Sequence, residues 1–156
     1  MKARFAGMFF WSVLAVLSLG FPAVVAAGEA NRWDEISRRA QARLEEFFVL
    51  VNARQTDDAI YIIHPKMVET NTQRQAWRSH IEAIRSIHVT DVEPVAVETW
   101  TSRCQKFKVT LEASVADTSA SPIPFYGWLD NPNIRWITMV LGEKGAWQIY
   151  EIATGP

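Results

Sequence analysis

The side chains that could do chemistry are few and widely spaced. The three histidines are His64, His80 and His88, and no two of them lie four residues apart, as the ligands of a helical zinc site would. The only cysteine is Cys104, so the chain also lacks a Cys-x-x-Cys pair. We therefore predict no metal site and no cofactor, and we interpret His80 as a helix-surface residue and His64 as a helix-end residue.

Covalent catalysis and phosphate binding have no recognisable motif. The sequence has no Gly-x-Ser-x-Gly turn for a nucleophilic serine, and Cys104 has no evident base near it in the sequence. Gly142 and Gly145 are close together, but they suit a turn between strands rather than a phosphate cradle. We interpret Cys104 as a partly buried small hydrophobe; the alternatives are an intermolecular disulfide and a reactive thiol.

Aromatic residues are more informative. Of the seven tryptophans only Trp11 precedes residue 28, which leaves more indole rings than one small core usually needs. Aromatic side chains concentrate at interfaces, so the pattern favours a noncatalytic module that binds a small apolar ligand, a peptide or a second copy of itself. A structural envelope domain is a further alternative. The predicted ligand-binding residues are Tyr61, His64, Trp100, Tyr126, Trp128 and Trp136.

Apolar residues spaced three and four apart predict three helices. The first covers residues 31–51, with Asn31 as its N-cap and a wide aromatic stripe that faces a core. The second is short, begins with Thr56 as a capping hydroxyl and ends before Pro65. The third covers residues 72–87.

After residue 87 the apolar period changes from 3.6 to 2, which indicates strands. Strands are predicted over residues 88–93 and 95–100 around Pro94, and then over 106–115, 134–141 and 146–153. A long irregular connection covers residues 117–133. The predicted fold class is α+β, with three N-terminal helices packed on a curved antiparallel sheet of about four strands.

Residues 1–27 have the pattern of a cleavable signal peptide. Lys2 and Arg4 precede an apolar run over residues 5–19, and small residues lead to a cleavage site after Ala27. The alternative is an uncleaved membrane anchor, since the apolar stretch approaches the length that spans a bilayer. We therefore expect a secreted or extracytoplasmic protein, in the periplasm or cell envelope.

The mature protein would then be a single domain over residues 28–156. Cleavage would remove Lys2 and Arg4 and no acid, so the formal net charge would change from −1 to −3. Such a charge disfavours nucleic acid as a partner and, once the signal is cleaved, membrane surfaces as well. A homodimer or an envelope protein partner fits these constraints.

Residues 47–64 form a helix, a turn and a short helix, and residues 138–149 form a hairpin with a Gly-x-Trp-x-Ile ending. In this order they resemble the nuclear transport factor 2-like superfamily, the cystatin-like α+β roll. The resemblance covers essentially the whole mature chain and implies a bent sheet that wraps around the helices and forms a conical cavity. Residues 147–156 also resemble exported bacterial proteins grouped as domain of unknown function 4829, which implies no activity.

The superfamily resemblance implies one enzymatic alternative. Members similar to ketosteroid isomerase use a cavity Asp and a Tyr hydrogen-bond donor to move protons next to a carbonyl. The polar residues that could face such a cavity are Tyr61, His64, Asp91 and Tyr150, and none of them aligns with that catalytic pattern. We therefore expect binding rather than catalysis.

Overall fold

The structure, a computed structural model, describes residues 22–116 and 131–156, with side chains from residue 33 onward. Three α-helices and four antiparallel strands form it, so the predicted α+β class is confirmed. A short 3-10 helix between the first two strands interrupts the strict order of helices before strands. The elements are α1 (Pro22–Asn52), α2 (Thr56–Ile62), η1 (Pro65–Met67), α3 (Asn71–Ala83), β1 (Ile84–Val95), η2 (Val97–Thr99), β2 (Cys104–Val115), β3 (Asn133–Leu141) and β4 (Trp147–Ala153).

Helix α1 is longer than the sequence predicted. It begins at Pro22, so Asn31 lies inside the helix and is not its N-cap. Proline suits a first helical turn because the N–H that it lacks would have no helical partner there. The predicted apolar stripe is confirmed farther along, where Leu44 and Phe47 are buried. The predicted cleavage position, Ala27, falls within this helix.

Helix α2 begins at Thr56, one residue earlier than predicted, because Thr56 was expected to be its N-cap. Thr56 is the first helical residue, and Gln55 precedes it without a side-chain capping bond, so the Thr56 cap is wrong. Asp57 and Asp58 occupy the first turn, where the helix dipole favours negative charge. The two acids of the first turn and the burial of Ala59, Ile60 and Ile62 therefore stabilise this helix in the absence of a hydroxyl cap.

Helix α3 is shorter than predicted. A capping box starts it, in which Gln73 N–H donates to the Thr70 hydroxyl at 3.2 Å and Thr70 N–H donates to the Gln73 side chain at 2.9 Å. The helix ends at Ala83 rather than at residue 87. Ile84 and Ile87 belong to β1, where they are buried and pair with the end of β2. Three-residue spacing fits a helix, and in a regular strand it would place Ile84 and Ile87 on opposite faces. The register shift between Ile84 and Ser86 allows both side chains to face the core, and pairing with β2 decides for the strand.

The sheet has the order β1-β2-β3-β4, and all neighbouring strands are antiparallel. Strand β2 alternates as predicted, with Phe107, Val109 and Leu111 fully buried and Lys106 and Lys108 half-buried on the other face. Helix α1 contacts β1, β2 and β4, so the helices cover the buried face. Register shifts mark bulges in β1 and at Tyr150 of β4, and bulges bend a sheet.

The chain after β1 is not the strand that we predicted over residues 95–100. Ala96 adopts the left-handed conformation with a φ of 52°, and η2 follows it. The indole N–H of Trp100 donates to the carbonyl of Val95 at 2.9 Å, and the ring packs on Phe107 with 5.5 Å between centroids. Residues 96–100 alternate in sequence but form a turn, which the Trp100 side chain anchors. The pairing of β1 with β2 ends at Val95, and none of the described strands pairs with the residues of this turn.

Two asparagine side chains continue the hydrogen bonding of the sheet where no strand does so. Asn52 donates to the carbonyl of Ile87 at 2.6 Å and accepts from Ile87 N–H at 2.8 Å. Asn131 accepts from Ala113 N–H at 2.9 Å and donates to the carbonyl of Ala113 at 3.0 Å. Because Ile87 and Ala113 are paired across β1 and β2, these four residues form one row, which we name the asparagine row.

Three further sequence predictions concern positions outside the core. Cys104 is half-buried, as predicted, and forms no disulfide within the described residues. Residues 117–130 of the expected connection, with the predicted binding residues Tyr126 and Trp128, lie outside the described residues. Over residues 22–116 and 131–156, none of the helices combines the length and the apolar character needed to cross a bilayer.

Candidate functional site

Tyr61 and His64, two of the predicted binding residues, line the same surface cleft, which we name the basic cleft. It has a volume of about 370 Å³ and lies between the end of α2 and the turn that joins β3 to β4. Arg43 of α1 also lines it, so three separate parts of the sequence build it. Its lining residues are Arg43, Tyr61, His64, Pro65, Lys66, Gly142, Glu143, Lys144, Ala146 and Gln148.

The chain after α2 is fixed against β4. His64 N–H donates to the carbonyl of Ile149 at 2.9 Å, next to a parallel bridge between Ile63 and Ile149. A residue before proline avoids the helical conformation, and His64 is extended ahead of Pro65, with a ψ of 137°. His64 Nδ1 accepts from Lys66 N–H at 3.3 Å and so caps η1. The predicted helix-end position of His64 is confirmed, and a neutral ring in this arrangement carries its hydrogen on Nε2.

The turn between β3 and β4 forms the opposite wall. Gly142 N–H donates to the carbonyl of Ala146 at 2.9 Å, and Gly145 N–H donates to the carbonyl of Gly142 at 3.0 Å. Gly145 has a φ of 75°, which glycine adopts without a steric penalty. A Cβ at position 142 would lie 2.5 Å from Gln148 Oε1 and would displace that side chain. Glycine at this position therefore keeps the Gln148 amide in the wall of the cleft.

Positive charge dominates the basic cleft. Its lining includes Arg43, Lys66 and Lys144 but only one acid, Glu143. Arg43 pairs with Glu46 through Nη1 at 2.6 Å. Within the described part of the chain, Lys66 and Lys144 form no ion pair. The cleft is thus a local positive site on a chain of formal net charge −1.

The aromatic residues of the cleft differ in how firmly they are held. The ring of His64 packs edge to face on Tyr150, with 5.3 Å between centroids. Tyr61, by contrast, is 67% exposed and presents its ring to solvent. The cleft therefore combines a fixed imidazole, an open phenol ring and two unpaired ammonium groups.

Comparisons of this chain with protein-family models, curated proteins and solved structures find no match. The two family resemblances seen in the sequence therefore stay predictions. Any inference about function rests on the residues of this chain and on their arrangement. Among these, the basic cleft is the place where predicted site residues meet.

The other predicted residues lie elsewhere. Trp100 lines a second cleft together with Trp33. Trp136 is half-buried on the outer face of β3, next to Lys108 in the register. Lys108 donates to Glu93 at 2.7 Å, and this hydrogen bond raises the pKa of Lys108. The structure thus brings Tyr61 and His64 together but leaves Trp100 and Trp136 apart from them.

A buried polar cluster was missed by the sequence analysis, and the prediction of a surface His80 is wrong. His80 is 9% exposed and packs edge to face on Trp77, with 5.9 Å between centroids. Asn133 and Arg135, at alternate positions of β3, are also buried. Burial, followed by the positive charge of Arg135, lowers the pKa of His80 to about 4. His80 is therefore neutral near pH 7. Its burial could have been predicted from its position three residues after Trp77, which places the two side chains on the same face of α3.

The described core holds no acidic group. Its buried polar residues are His80, Gln105, Asn133, Arg135 and Thr138. Within residues 22–116 and 131–156, no cluster of three or more His, Cys, Asp and Glu side chains could hold a metal ion.

Proposed function

We propose that this chain is an exported, noncatalytic binding module whose basic cleft takes a small ligand with an acidic group on an apolar or aromatic body. The observation that carries the proposal is the meeting of the open Tyr61 ring with unpaired Lys66 and Lys144. The volume of about 370 Å³ lies within the range of small-molecule sites, roughly 300–1,000 Å³.

The chemistry of the walls suggests how such a ligand would bind. Lys66 and Lys144 lie on opposite walls, and each ammonium donates to a carboxylate or phosphate as a mobile point charge. The Tyr61 ring offers a face on which a flat apolar body stacks. Both lysines are exposed, which makes the predicted affinity sensitive to salt.

Binding is favoured over catalysis by the placement of the polar residues. Of the four residues that could have faced a catalytic cavity, Asp91 is exposed on β1 and pairs with Thr110, away from the basic cleft. Tyr150 is 42% exposed, and its ring supports His64. Within the described residues, the basic cleft therefore has no Asp beside Tyr61, whereas the ketosteroid isomerase resemblance implies a cavity Asp together with a Tyr donor.

The proposal includes the cystatin-like roll. It is supported by the order of three helices before four antiparallel strands, by the helices on one face of the sheet, and by the bulges in β1 and β4. In such a roll the basic cleft lies outside the concave face, because the turn between β3 and β4 forms one of its walls.

Calorimetric titration with three indole probes tests the ligand class. We expect indole-3-acetate to bind more tightly than neutral indole, and cationic tryptamine to bind most weakly. Changing Lys66→Gln together with Lys144→Gln should weaken indole-3-acetate by roughly three- to tenfold, as expected for two partly exposed ion pairs. Tyr61→Ala should weaken all three probes, because each carries the same ring.

Two single variants serve as controls for this titration. Glu143→Gln removes the only acid of the lining and should strengthen indole-3-acetate binding. Lys106→Gln removes a cation from the outer face of β2 and should change nothing. Equal affinity for indole-3-acetate and tryptamine, or weaker anion binding after Glu143→Gln, would refute the proposed ligand class.

Export and cleavage after Ala27 can be tested separately. The intact mass of protein purified from the exporting cell should correspond to residues 28–156. Ala27→Leu should slow processing because the −1 position of the site takes a small residue, whereas Ala23→Leu should not. The fold should tolerate the loss, since the first fully buried side chain described in α1 is Ala40. Full-length protein in the purified fraction would instead support an uncleaved anchor.

A further inference from the structure

A second cleft lies beside the first described side chains of α1, and we name it the tryptophan cleft. Its volume is about 390 Å³. Helix α1 forms one wall, and the end of β1 with η2 forms the other. The residues that line it are Trp33, Asp34, Ser37, Pro94, Val97 and Trp100.

The two indole rings have different degrees of freedom. Trp100 is fixed, since its N–H donates to Val95 at 2.9 Å and its ring packs on Phe107. Trp33 is 42% exposed, and Val97 beside it is 55% exposed. Folding therefore leaves an apolar surface open to solvent, with one rigid aromatic wall and one accessible aromatic wall.

The charge of the tryptophan cleft is opposite to that of the basic cleft. Asp34 is the only charged residue of its lining, and Glu98 follows directly after Val97 in η2. Arg38 lies one turn farther along α1, exposed, and its Nε donates to the backbone carbonyl of Asp34 at 3.2 Å. Within the described residues, the Asp34 carboxylate forms no ion pair.

We propose that the tryptophan cleft binds a small organic ammonium cation. The faces of indole rings carry negative electrostatic potential, and tryptophan is the aromatic side chain that attracts cations most strongly. A neighbouring carboxylate adds a full negative charge on the same rim. An organic ammonium ion with alkyl groups fits the apolar residues, the indole rings and the carboxylate of the cleft. Its alkyl groups contact Val97 and Pro94, and its charge lies near the rings and Asp34. This site is independent of the basic cleft.

Choline and its neutral isostere 3,3-dimethylbutan-1-ol distinguish charge from shape. At constant ionic strength we expect choline to shift the indole N–H signals of Trp33 and Trp100 in NMR spectra and to change tryptophan fluorescence. The alcohol should bind roughly three- to fivefold more weakly, the contribution of a cation over an exposed ring. Equal binding of the two compounds would overturn the proposal.

Variants locate the site. Trp33→Leu keeps an apolar side chain at an exposed position and should weaken choline by roughly three- to fivefold. Asp34→Asn preserves shape and should weaken it by roughly twofold or more. Asp58→Asn removes an exposed acid from α2, away from the cleft, and should have no effect. Choline binding that survives both cleft variants, or that shifts neither Trp33 nor Trp100, would contradict the assignment.

Discussion

Lowering the pH from about 6.5 to about 4 is expected to reduce the free energy of unfolding by about 3 kcal/mol through His80 alone. The unfolded chain binds a proton at His80 near the ordinary pKa of 6.5, whereas in the folded protein burial and Arg135 lower the pKa to about 4. Between these values the unfolded state holds more protons than the folded state. The contribution of His80 to stability is therefore greatest above pH 6.5 and is lost as the pH falls toward 4.

Urea unfolding at several pH values measures this effect. His80→Gln should flatten the dependence of the free energy of unfolding between pH 4 and 6.5, because glutamine at position 80 takes up no proton on unfolding. His88→Gln, which changes an exposed histidine on β1, should keep the slope of the parent protein. An unchanged slope in His80→Gln would show that other groups cause the pH dependence.

The two causes of the pKa shift can be separated by NMR titration of the His80 ring. Burial is the larger cause and the charge of Arg135 is the smaller. Arg135→Gln should therefore raise the pKa of His80 while leaving it below 6.5. A pKa at or above 6.5 in this variant would mean that the charge, rather than burial, is dominant.

Phe107→Ala is expected to cost about 3–5 kcal/mol of stability, the usual range for a fully buried phenylalanine. Phe107 is completely buried in the middle of β2 and contacts the ring of Trp100. Its removal leaves a cavity between the sheet and the helices and takes away the support of η2. Chemical denaturation, with the native near-UV circular dichroism as a check on folding, measures the loss.

The neighbouring residue is a matched control for this substitution. Lys106 precedes Phe107 on β2 and points to the opposite face of the sheet. Lys106→Ala should change stability by about 0.5 kcal/mol or less, as most surface substitutions do. Similar losses in both variants would contradict the assignment of the two faces of β2.

Periodicity predicted those elements whose apolar residues fit a single pattern. The stripe of α1 and the alternation of β2 each point one face to the core, and both are confirmed. The end of α3 was ambiguous because Ile84 and Ile87 are three residues apart, which a helix accepts, while their branched side chains favour a strand. Pairing with β2 decided the matter, and that contact is distant in sequence.

Buried polar residues were the main failure of the sequence analysis. His80 lies at a position that faces the core, but its polarity argued for the surface. Gln105 is also buried and lies one residue before the strand predicted over residues 106–115. Gln105 continues the inward alternation of β2 two residues before Phe107, and within the described residues neither of its amide atoms has a hydrogen-bond partner. Such burial carries a cost, which sequence rules treat as prohibitive but which the rest of a core can offset.

The sequence predicted only part of the candidate site, namely the residues at the end of α2. Tyr61 and His64 flank the end of a short helix before a proline, so their proximity follows from local sequence. The cations at Arg43 and Lys144 come from α1 and the last hairpin. Their approach depends on how β4 docks against the residues after α2, which no local pattern encodes.

The asparagine row has a consequence for self-association. An exposed edge strand is a template on which another chain can add a strand, and β1 is an edge of this sheet. Asn52 occupies both backbone groups of Ile87, and the guanidinium of Arg54 binds the carbonyls of Ile84 and Arg85. Side chains of the same chain thereby occupy backbone groups in the first half of β1, which disfavours the addition of a strand from another molecule at this part of the edge.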